Sequence, residues 1–227
     1  MSKYQLIIFD ADDTLFNFKL CEKAAMENTF KELGIHYNLE TIKVYSKIND
    51  DLWKKHEKNQ MTQEEVRIER FVQLNEYLKS NINPQKFNEV YTHHLAKTGI
   101  EFTESFDVLK KLHENEYKIC ILTNGVNEVQ RSRLSRCSFK EYIDFIVVSS
   151  QAGSNKPNKE IFEYMEKVTG FSDKSKMLIV GDSLTSDIKG GINYGIDTCW
   201  INRLNKSAFD IKARYEIHNL EELFLIF

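Results

Sequence analysis

The sequence predicts an α/β fold, in which a parallel β-sheet is flanked by helices and an entirely helical segment is inserted into it. Two observations predict this fold. Short apolar runs rich in β-branched residues alternate with helical patterns after residue 100, as in sheets buried on both faces. Between residues 17 and 100 the apolar spacing is helical instead. We therefore expect a doubly wound, Rossmann-like core formed by residues 1–16 and 101–227, with residues 17–100 as an inserted all-α bundle.

The predicted strands are five short apolar runs, and two helical stripes lie between the later ones. Strand and helix in alternation indicate a parallel sheet, whose functional residues lie at the carboxyl ends of the strands. The helical stripes are Ile161, Phe162, Met165 and Val168 on one face, and Ile188 with Ile192 on another. The strands are Gln5–Phe9, Lys118–Leu122, Phe145–Ser149, Met177–Val180 and Ile196–Ile201.

The interval before residue 101 is predicted to be a helical bundle. Its helix boundaries are marked by Thr62 with Glu65, which fit a capping box, and by Asn83-Pro84, which fit an N-cap followed by a first-turn proline. The interval is much longer than a β–α–β crossover of about 30 residues needs. Three apolar stripes carry the helical spacing: Ile42, Tyr45, Ile48 and Leu52; Ile68, Phe71, Leu74 and Leu78; Phe87, Val90, Tyr91 and His94.

Composition excludes several classes of protein. With 41% hydrophobic and 29% charged residues, the chain is typical of a globular protein and not of a disordered one. The net charge of −3, from 31 basic and 34 acidic residues, argues against a dedicated nucleic-acid binder. No apolar run approaches the about 20 residues of a membrane span. The four cysteines form no C-x-x-C pair and no signal peptide is evident, so we expect reduced thiols and a cytoplasmic location.

Polar residues follow three of the predicted strands in patterns that packing does not require. Asp10 and Asp12 follow the first strand, and residues two apart in an extended segment point the same way. Two such carboxylates repel each other unless a cation or a shared proton relieves them. Thr123-Asn124-Gly125 follows a second strand, and Asp182, with Asp187 five residues on, follows a third. Lys156 precedes a proline at the start of a predicted helix.

If these strand ends converge, the site combines several carboxylates, one lysine and backbone N–H groups. Clustered carboxylates suit Mg²⁺, which binds one or two carboxylates together with waters and phosphate oxygens. Lysine and a glycine-containing turn supply positive potential for the rest of a phosphoryl group. Phosphoryl transfer to a carboxylate needs this set: a nucleophile, a metal, charge neutralisation and a proton donor.

Four segments, in this order, resemble the motifs of the haloacid dehalogenase superfamily of phosphohydrolases: FDADDTLF, LTNG, KPNKEIF and VGDSLTSD. Agreement of four motifs in order is far more specific than a single D-x-D-x-T. The inserted helical bundle also resembles that family's cap. More narrowly, these runs and GGINYGIDTCWIN resemble the intracellular pyrimidine 5′-nucleotidase branch, whose members hydrolyse nucleoside monophosphates.

The resemblance implies catalytic roles for the first and third motifs. Asp10 would be the nucleophile that forms an aspartyl-phosphate, and Asp12 would protonate the leaving oxygen and then deprotonate the attacking water. Thr14 would support the turn after Asp12, and Lys156 would neutralise the phosphate and the intermediate. The acid at position 12 also favours a phosphate ester over carbon–halogen cleavage, since a departing halide needs no proton.

The remaining roles implied by the resemblance concern phosphate and metal. Thr123 and Asn124 would bind phosphoryl oxygens through a hydroxyl and a backbone N–H. Mg²⁺ would be held by the Asp10 carboxylate, the Asp12 main-chain carbonyl and Asp182. Asp187 would be an outer acidic anchor, and whether it contacts the metal is open.

Alternatives remain at this point. Asp10 and Asp12 could simply form a turn, Lys156 could be an exposed lysine, and Asp187 could stabilise the first turn of a helix. The same machinery could act on a sugar phosphate or phosphoglycolate, or as a phosphomutase. A phospho-accepting signalling domain is the non-enzyme alternative. The expected partner is a small phosphomonoester, most simply a nucleoside monophosphate, with no nucleic-acid polymer and no membrane. The oligomeric state is not readable.

Overall fold

The computed structural model describes residues 3–208 and 210–227, and it divides the chain into two compact units. One unit comprises Met1–Asn17 and Glu101–Phe227, and the other is Phe18–Ile100. The first is built around a sheet and the second is entirely helical. The predicted α/β fold with a parallel sheet is therefore confirmed.

The α/β unit contains a six-stranded parallel sheet in the order β3-β2-β1-β4-β5-β6. This is the order of a doubly wound fold, which reverses direction beside its first strand. The strands are β1 (Leu6–Phe9), β2 (Lys118–Thr123), β3 (Phe145–Val148), β4 (Met177–Gly181), β5 (Asp197–Ile201) and β6 (Tyr215–Ile217). Its helices are α5 (Ser105–Glu114), α6 (Asn127–Leu134), α7 (Ser149–Ala152), α8 (Lys159–Thr169) and α9 (Lys189–Tyr194), with a π-helical turn at Leu184–Ile188.

Side chains that alternate along the strands form a hydrophobic core on each face of this sheet. On β1, Ile7 and Phe9 pack with Leu109 and Leu112 of α5, whereas Leu6 and Ile8 pack with helix α8. Because both faces are covered, the two central strands β1 and β4 have no polar side chain, which is why they were recognisable in the sequence.

The helical unit consists of α1 (Phe18–Glu32), α2 (Leu39–Glu57), α3 (Gln63–Leu78) and α4 (Pro84–Lys97). The two predicted helix starts are confirmed. Thr62 Oγ1 accepts from the Glu65 N–H and the Glu65 side chain accepts from the Thr62 N–H, which completes a capping box. The Asn83 side chain accepts from the Lys86 N–H, with Pro84 in the first turn.

Some expectations about individual elements were wrong. Val168 and Ile192 are 40% and 48% exposed, so each predicted stripe ends before its last residue. Ile188 lies in the π-helical turn and not on the helix that carries Ile192. Ser149 begins α7 and is not part of a strand. The three-residue strand β6 was not predicted, since so short a run with only one fully buried side chain has no readable pattern.

Two properties bear on the class of protein. None of the helices formed by the described residues combines the length and the apolar character that crossing a bilayer requires. All four cysteines are buried thiols. The cytoplasmic location expected from the sequence stays a prediction.

Candidate active site

The carboxyl ends of three adjacent strands bring the predicted acidic and phosphate-binding residues to one edge of the sheet. Asp10 directly follows β1, Thr123 ends β2, and Gly181 ends β4 just before Asp182. In the sheet, β1 lies between β2 and β4, so these three ends are neighbours. This edge lies beside the point where the strand order reverses, which is where doubly wound sheets bind their ligands.

Lys156 is the buried cation of this cluster. It is 1% exposed, and its Nζ lies 2.6 Å from Asp10 Oδ1 and 2.7 Å from Asp187 Oδ1. The same Nζ donates to the main-chain carbonyl of Leu122. Burial alone would lower the pKa of Lys156, but Asp10 and Asp187 outweigh it and raise that pKa above its ordinary value. The lysine is therefore charged, and the interpretation of it as an exposed surface residue is wrong.

Three carboxylates, those of Asp10, Asp182 and Asp187, offer oxygens that lie within 4.8 Å of one another. Burial raises the pKa of Asp10 to about 7; Lys156 opposes this shift, and Asp187 and Asp12 add to it. The pKa of Asp182 is also raised, first by burial and then by Asp187, Asp13 and Asp10. When all three carboxylates are ionised, they carry more negative charge than one lysine balances, and such a donor set suits a hard divalent cation.

Asp187 is held against the end of β4. It is 1% exposed, and its Oδ2 accepts from the Ser183 N–H at 3.0 Å. A Cβ at Gly181 would lie 2.2 Å from that same oxygen, so only glycine fits between the strand end and the aspartate. The π-helical turn that carries Asp187 directs its carboxylate back to Lys156. A role confined to the first turn of a helix does not account for this placement.

The predicted phosphate-binding turn is fixed by side-chain hydrogen bonds. Thr123 Oγ1 accepts from the Gly125 N–H at 3.1 Å. The Asn124 side chain holds the Lys156 backbone from both sides: its Oδ1 accepts from the Lys156 N–H at 2.8 Å, and its Nδ2 donates to the Lys156 carbonyl at 2.9 Å. The amide of Asn124 thereby ties the end of β2 to the lysine.

Asp12 does not join the three clustered carboxylates, although its charge acts on Asp10. Its Oδ1 lies 2.6 Å from Arg133 Nη1, and its Oδ2 accepts from Gln130 Nε2 at 2.6 Å. Thr14 is fully buried in the turn that follows, where its carbonyl accepts from Arg203 Nη2 at 3.1 Å. The Thr14 hydroxyl has no hydrogen-bond partner among the described residues.

Sequence reasoning missed Arg133 and Gln130. Both lie on α6, a helix whose sequence NEVQRSRL is largely polar and carries no motif. The one available signal was their spacing, since residues three apart share a face of a helix. That signal could not show that the shared face is buried.

Comparison with known proteins identifies the family. The model of the haloacid dehalogenase-like hydrolase family matches residues 7–201, a range that contains the whole acidic cluster and the buried lysine. The chain belongs to this family. Its predicted resemblance to this superfamily is confirmed, and the protein is an enzyme of the hydrolase class.

Members of this hydrolase family with similar sequences include two bacterial nucleotidases. The chain is 33% identical over 222 residues to the pyrimidine 5′-nucleotidase YjjG of Escherichia coli (strain K12), covering 97% of this chain and 96% of that protein. It is 31% identical over 223 residues to the pyrimidine 5′-nucleotidase PynA of Streptococcus pneumoniae, covering 97% and 93%. The predicted resemblance to the nucleotidase branch is confirmed.

Among solved structures, that of the putative haloacid dehalogenase-like hydrolase YfnB of Bacillus subtilis matches this hydrolase with a TM-score of 0.91. The two chains are 34% identical, and the match covers 99% of each. The YfnB crystal structure is described as bound to magnesium and as revealing interdomain movement. The fold and the length of this hydrolase therefore match those of its relatives almost completely.

Proposed function

We propose that this hydrolase is a Mg²⁺-dependent phosphatase that cleaves phosphomonoesters through an aspartyl-phosphate, and that its substrates are nucleoside 5′-monophosphates, pyrimidine nucleotides above all. The observation that carries the reaction is the carboxylate of Asp10, buried at the end of β1 and paired with the buried Lys156 at 2.6 Å. A buried nucleophile beside a fixed cation is the arrangement that transfer of a phosphoryl group to a carboxylate requires.

In the first half-reaction, a carboxylate oxygen of Asp10 attacks the phosphorus atom. The bond from phosphorus to the leaving oxygen breaks, and the electron pair stays on that oxygen, which takes a proton from the carboxyl of Asp12. The Thr123 hydroxyl, the Asn124 backbone N–H and the Lys156 ammonium bind the phosphoryl oxygens. Since these donors are fixed in place by the bonds described above, they need no reorganisation as charge develops.

In the second half-reaction, water attacks the phosphorus of the aspartyl-phosphate. Asp12 accepts a proton from that water, the bond from phosphorus to Asp10 breaks, and inorganic phosphate leaves. Asp12 thus changes its protonation state between the halves and ends as it began. A carbon–halogen bond would need no such donor, so the presence of Asp12 favours a phosphate ester.

The residues present fit a magnesium ion. Oxygens of Asp10, Asp182 and Asp187 lie within 4.8 Å of one another, and burial, followed by repulsion from neighbouring carboxylates, raises the pKa values of Asp10 and Asp182. Asp10 and Asp182, with the Asp12 carbonyl, would hold the ion, and Asp187 would anchor the cluster while paired with Lys156. Bound there, Mg²⁺ would supply charge neutralisation for the phosphoryl oxygens.

The substrate class rests on the two nucleotidase relatives and on the helical unit. Because the α/β unit supplies the groups that act on phosphate, we propose that the unit Phe18–Ile100 is a cap that selects the leaving group. A sugar phosphate, phosphoglycolate or a phosphomutase substrate would use the same core. A signalling domain would have no use for the insert.

Release of phosphate from a substrate panel tests this proposal. With Mg²⁺, we expect turnover of UMP, dUMP and dTMP above that of AMP, GMP, phosphoglycolate and sugar phosphates, and we expect none in EDTA. Turnover of sugar phosphates alone would keep the mechanism and contradict the nucleotidase assignment. Transfer to a second sugar hydroxyl in place of free phosphate would indicate a mutase. No metal-dependent release from any substrate would overturn the phosphatase proposal.

The raised pKa of Asp10 predicts a pH dependence of stability. Between about pH 4 and pH 7, folded Asp10 binds a proton that unfolded Asp10 has lost, so this residue stabilises the fold at low pH and ceases to do so as pH rises through about 7. In EDTA, the Tm of the wild type minus that of Asp10→Asn should therefore fall by at least about 3 °C from pH 5 to pH 8. Differential scanning calorimetry of both proteins at the two pH values measures this difference in Tm.

Addition of Mg²⁺ tests the same dependence of stability on the protonation of the acidic cluster. The ion binds the deprotonated carboxylates, so it should raise the Tm of the wild type more at pH 8 than at pH 5. Asp173→Asn is the control, because this aspartate is exposed and its side chain bonds to Ser175 and pairs with Lys176, both close in sequence. Equal shifts at both pH values would contradict binding at the acidic cluster.

A further inference from the structure

Both carboxylate oxygens of Asp12 are engaged by one face of helix α6. Arg133 Nη1 lies 2.6 Å from Oδ1, and Gln130 Nε2 donates to Oδ2 at 2.6 Å. The two donors are three residues apart on the helix, so they project side by side. Together they fix both the position and the plane of the carboxylate, which a single hydrogen bond would leave free to rotate.

The burial of these three residues is uneven. The Arg133 side chain is fully buried and Gln130 is 1% exposed, whereas the Asp12 side chain is 26% exposed. The donors therefore hold the carboxylate from its buried side. Each oxygen of a carboxylate has a second lone pair, and the exposed side of Asp12 keeps these available to a reacting group.

The donors themselves are held rigidly. The guanidinium of Arg133 lies 4.3 Å from the centre of the Phe16 ring, which is fully buried and packs on Phe139. A Cβ at residue 125 would lie 2.2 Å from Gln130 Nε2, so the glycine of the LTNG motif leaves the room that this amide occupies. The first and second motif regions thus converge on the two side chains that hold Asp12.

The arrangement costs stability. Gln130 Oε1 is buried without a hydrogen-bond partner among the described residues, and a buried amide oxygen in that state is unfavourable. An apolar side chain would fill the same space without this cost. The hydrogen bond that the amide NH₂ group donates to the Asp12 carboxylate explains why a glutamine occupies this position.

We infer that Arg133 and Gln130 are positioning residues, which hold the Asp12 carboxyl in the orientation from which it protonates the leaving oxygen. This inference rests on the proposed function. Neither residue contacts the phosphoryl group in this scheme; both act through Asp12.

A comparison of leaving groups tests the inference. A nucleoside leaves as an alkoxide that needs a proton from Asp12, whereas p-nitrophenolate is stable enough to leave without one. The value of kcat/KM includes only the steps up to departure of the leaving group, so hydrolysis of the intermediate does not enter it. Arg133→Met should lower kcat/KM by about 10- to 100-fold on the best nucleotide and by less than about 3-fold on p-nitrophenyl phosphate.

Further variants separate positioning from folding. Gln130→Met removes the other donor with little change of volume and should show the same contrast between substrates, to a smaller extent. Arg133→Lys, which keeps the charge but loses the planar fork, should lie between the wild type and Arg133→Met. In an Asp12→Asn background, Arg133→Met should change kcat/KM by less than about 2-fold, because its effect passes through Asp12.

Arg131→Met is the matched control, since this arginine lies on the same helix, is exposed, and contacts Asn127 and Gln151. Arg131→Met should leave kcat/KM for both substrates unchanged. If Arg133→Met lowered kcat/KM equally for both substrates, or if its loss added to that of Asp12→Asn, the positioning role would be overturned and a structural role would remain. If the wild type releases phosphate from neither substrate, the proposed function fails, and the positioning role fails with it.

Discussion

Asp10→Asn is expected to reduce phosphate release by at least about 10⁴-fold while the fold is retained. A carboxamide has the shape of the carboxylate but cannot attack phosphorus, so no aspartyl-phosphate forms. Lys156 keeps Asp187 and the Leu122 carbonyl as partners, so its charge stays paired. Because burial disfavours the ionised form of Asp10, the neutral amide should leave the Tm in EDTA at pH 8 unchanged or higher. Phosphate release measures turnover, trapping of the phosphorylated enzyme detects the aspartyl-phosphate, and calorimetry gives the Tm.

Asp13→Asn is the matched control for this variant. It makes the same chemical change three residues later in the same loop. Asp13 has a φ of 58°, in the left-handed region that asparagine tolerates as well as aspartate does. Its main-chain N–H donates to the Phe16 carbonyl at 2.7 Å, a bond that the substitution keeps. Activity should stay within about 3-fold of the wild type. If Asp10→Asn still turned over substrate at a similar rate, another residue would be the nucleophile.

The sequence predicted well those features that depend on one strand and its end. The central strands β1 and β4 have no polar side chain because both faces are covered, and parallel strands bring their carboxyl ends together. The sequence alone therefore assigns Asp10, Thr123 and Asp182 to one edge of the sheet. The capping box at Thr62 and the proline at residue 84 were equally local, since each is decided within one turn of helix.

The sequence predicted poorly those features that depend on which face of a helix is buried. Arg133 and Gln130 stand on a polar helix, and nothing in NEVQRSRL shows that two of its polar residues are 1% exposed. The apolar stripes that continued to Val168 and Ile192 failed for the same reason, since both residues lie on the exposed faces of their helices. The pairing of Lys156 with two separate carboxylates is likewise a property of the fold and not of any one motif.

Lys156→Met should lower both the stability of the protein and its activity, and both effects should be large. The substitution keeps the volume of the buried side chain but removes the charge that pairs with Asp10 and Asp187. Loss of one partner from a buried ion pair costs about 3–5 kcal/mol, because the other partner is left buried and unpaired. In EDTA at pH 8 we expect the Tm to fall by on the order of 10 °C. Phosphate release should be lost, since neither the nucleophile nor the bound phosphoryl group is neutralised.

The pH dependence distinguishes this cause from a simple packing defect. Without the lysine, the folded-state pKa of Asp10 rises further above its unfolded value, so the folded protein gains more from proton uptake as pH falls. The Tm deficit of Lys156→Met should therefore shrink from pH 8 to pH 5. Lys159→Met is the control: its side chain is 65% exposed and lies 3.6 Å from Glu163, so it should change stability by less than about 0.5 kcal/mol. A deficit that is constant with pH would mean that the variant is destabilised by altered packing and not by the loss of the charge beside Asp10.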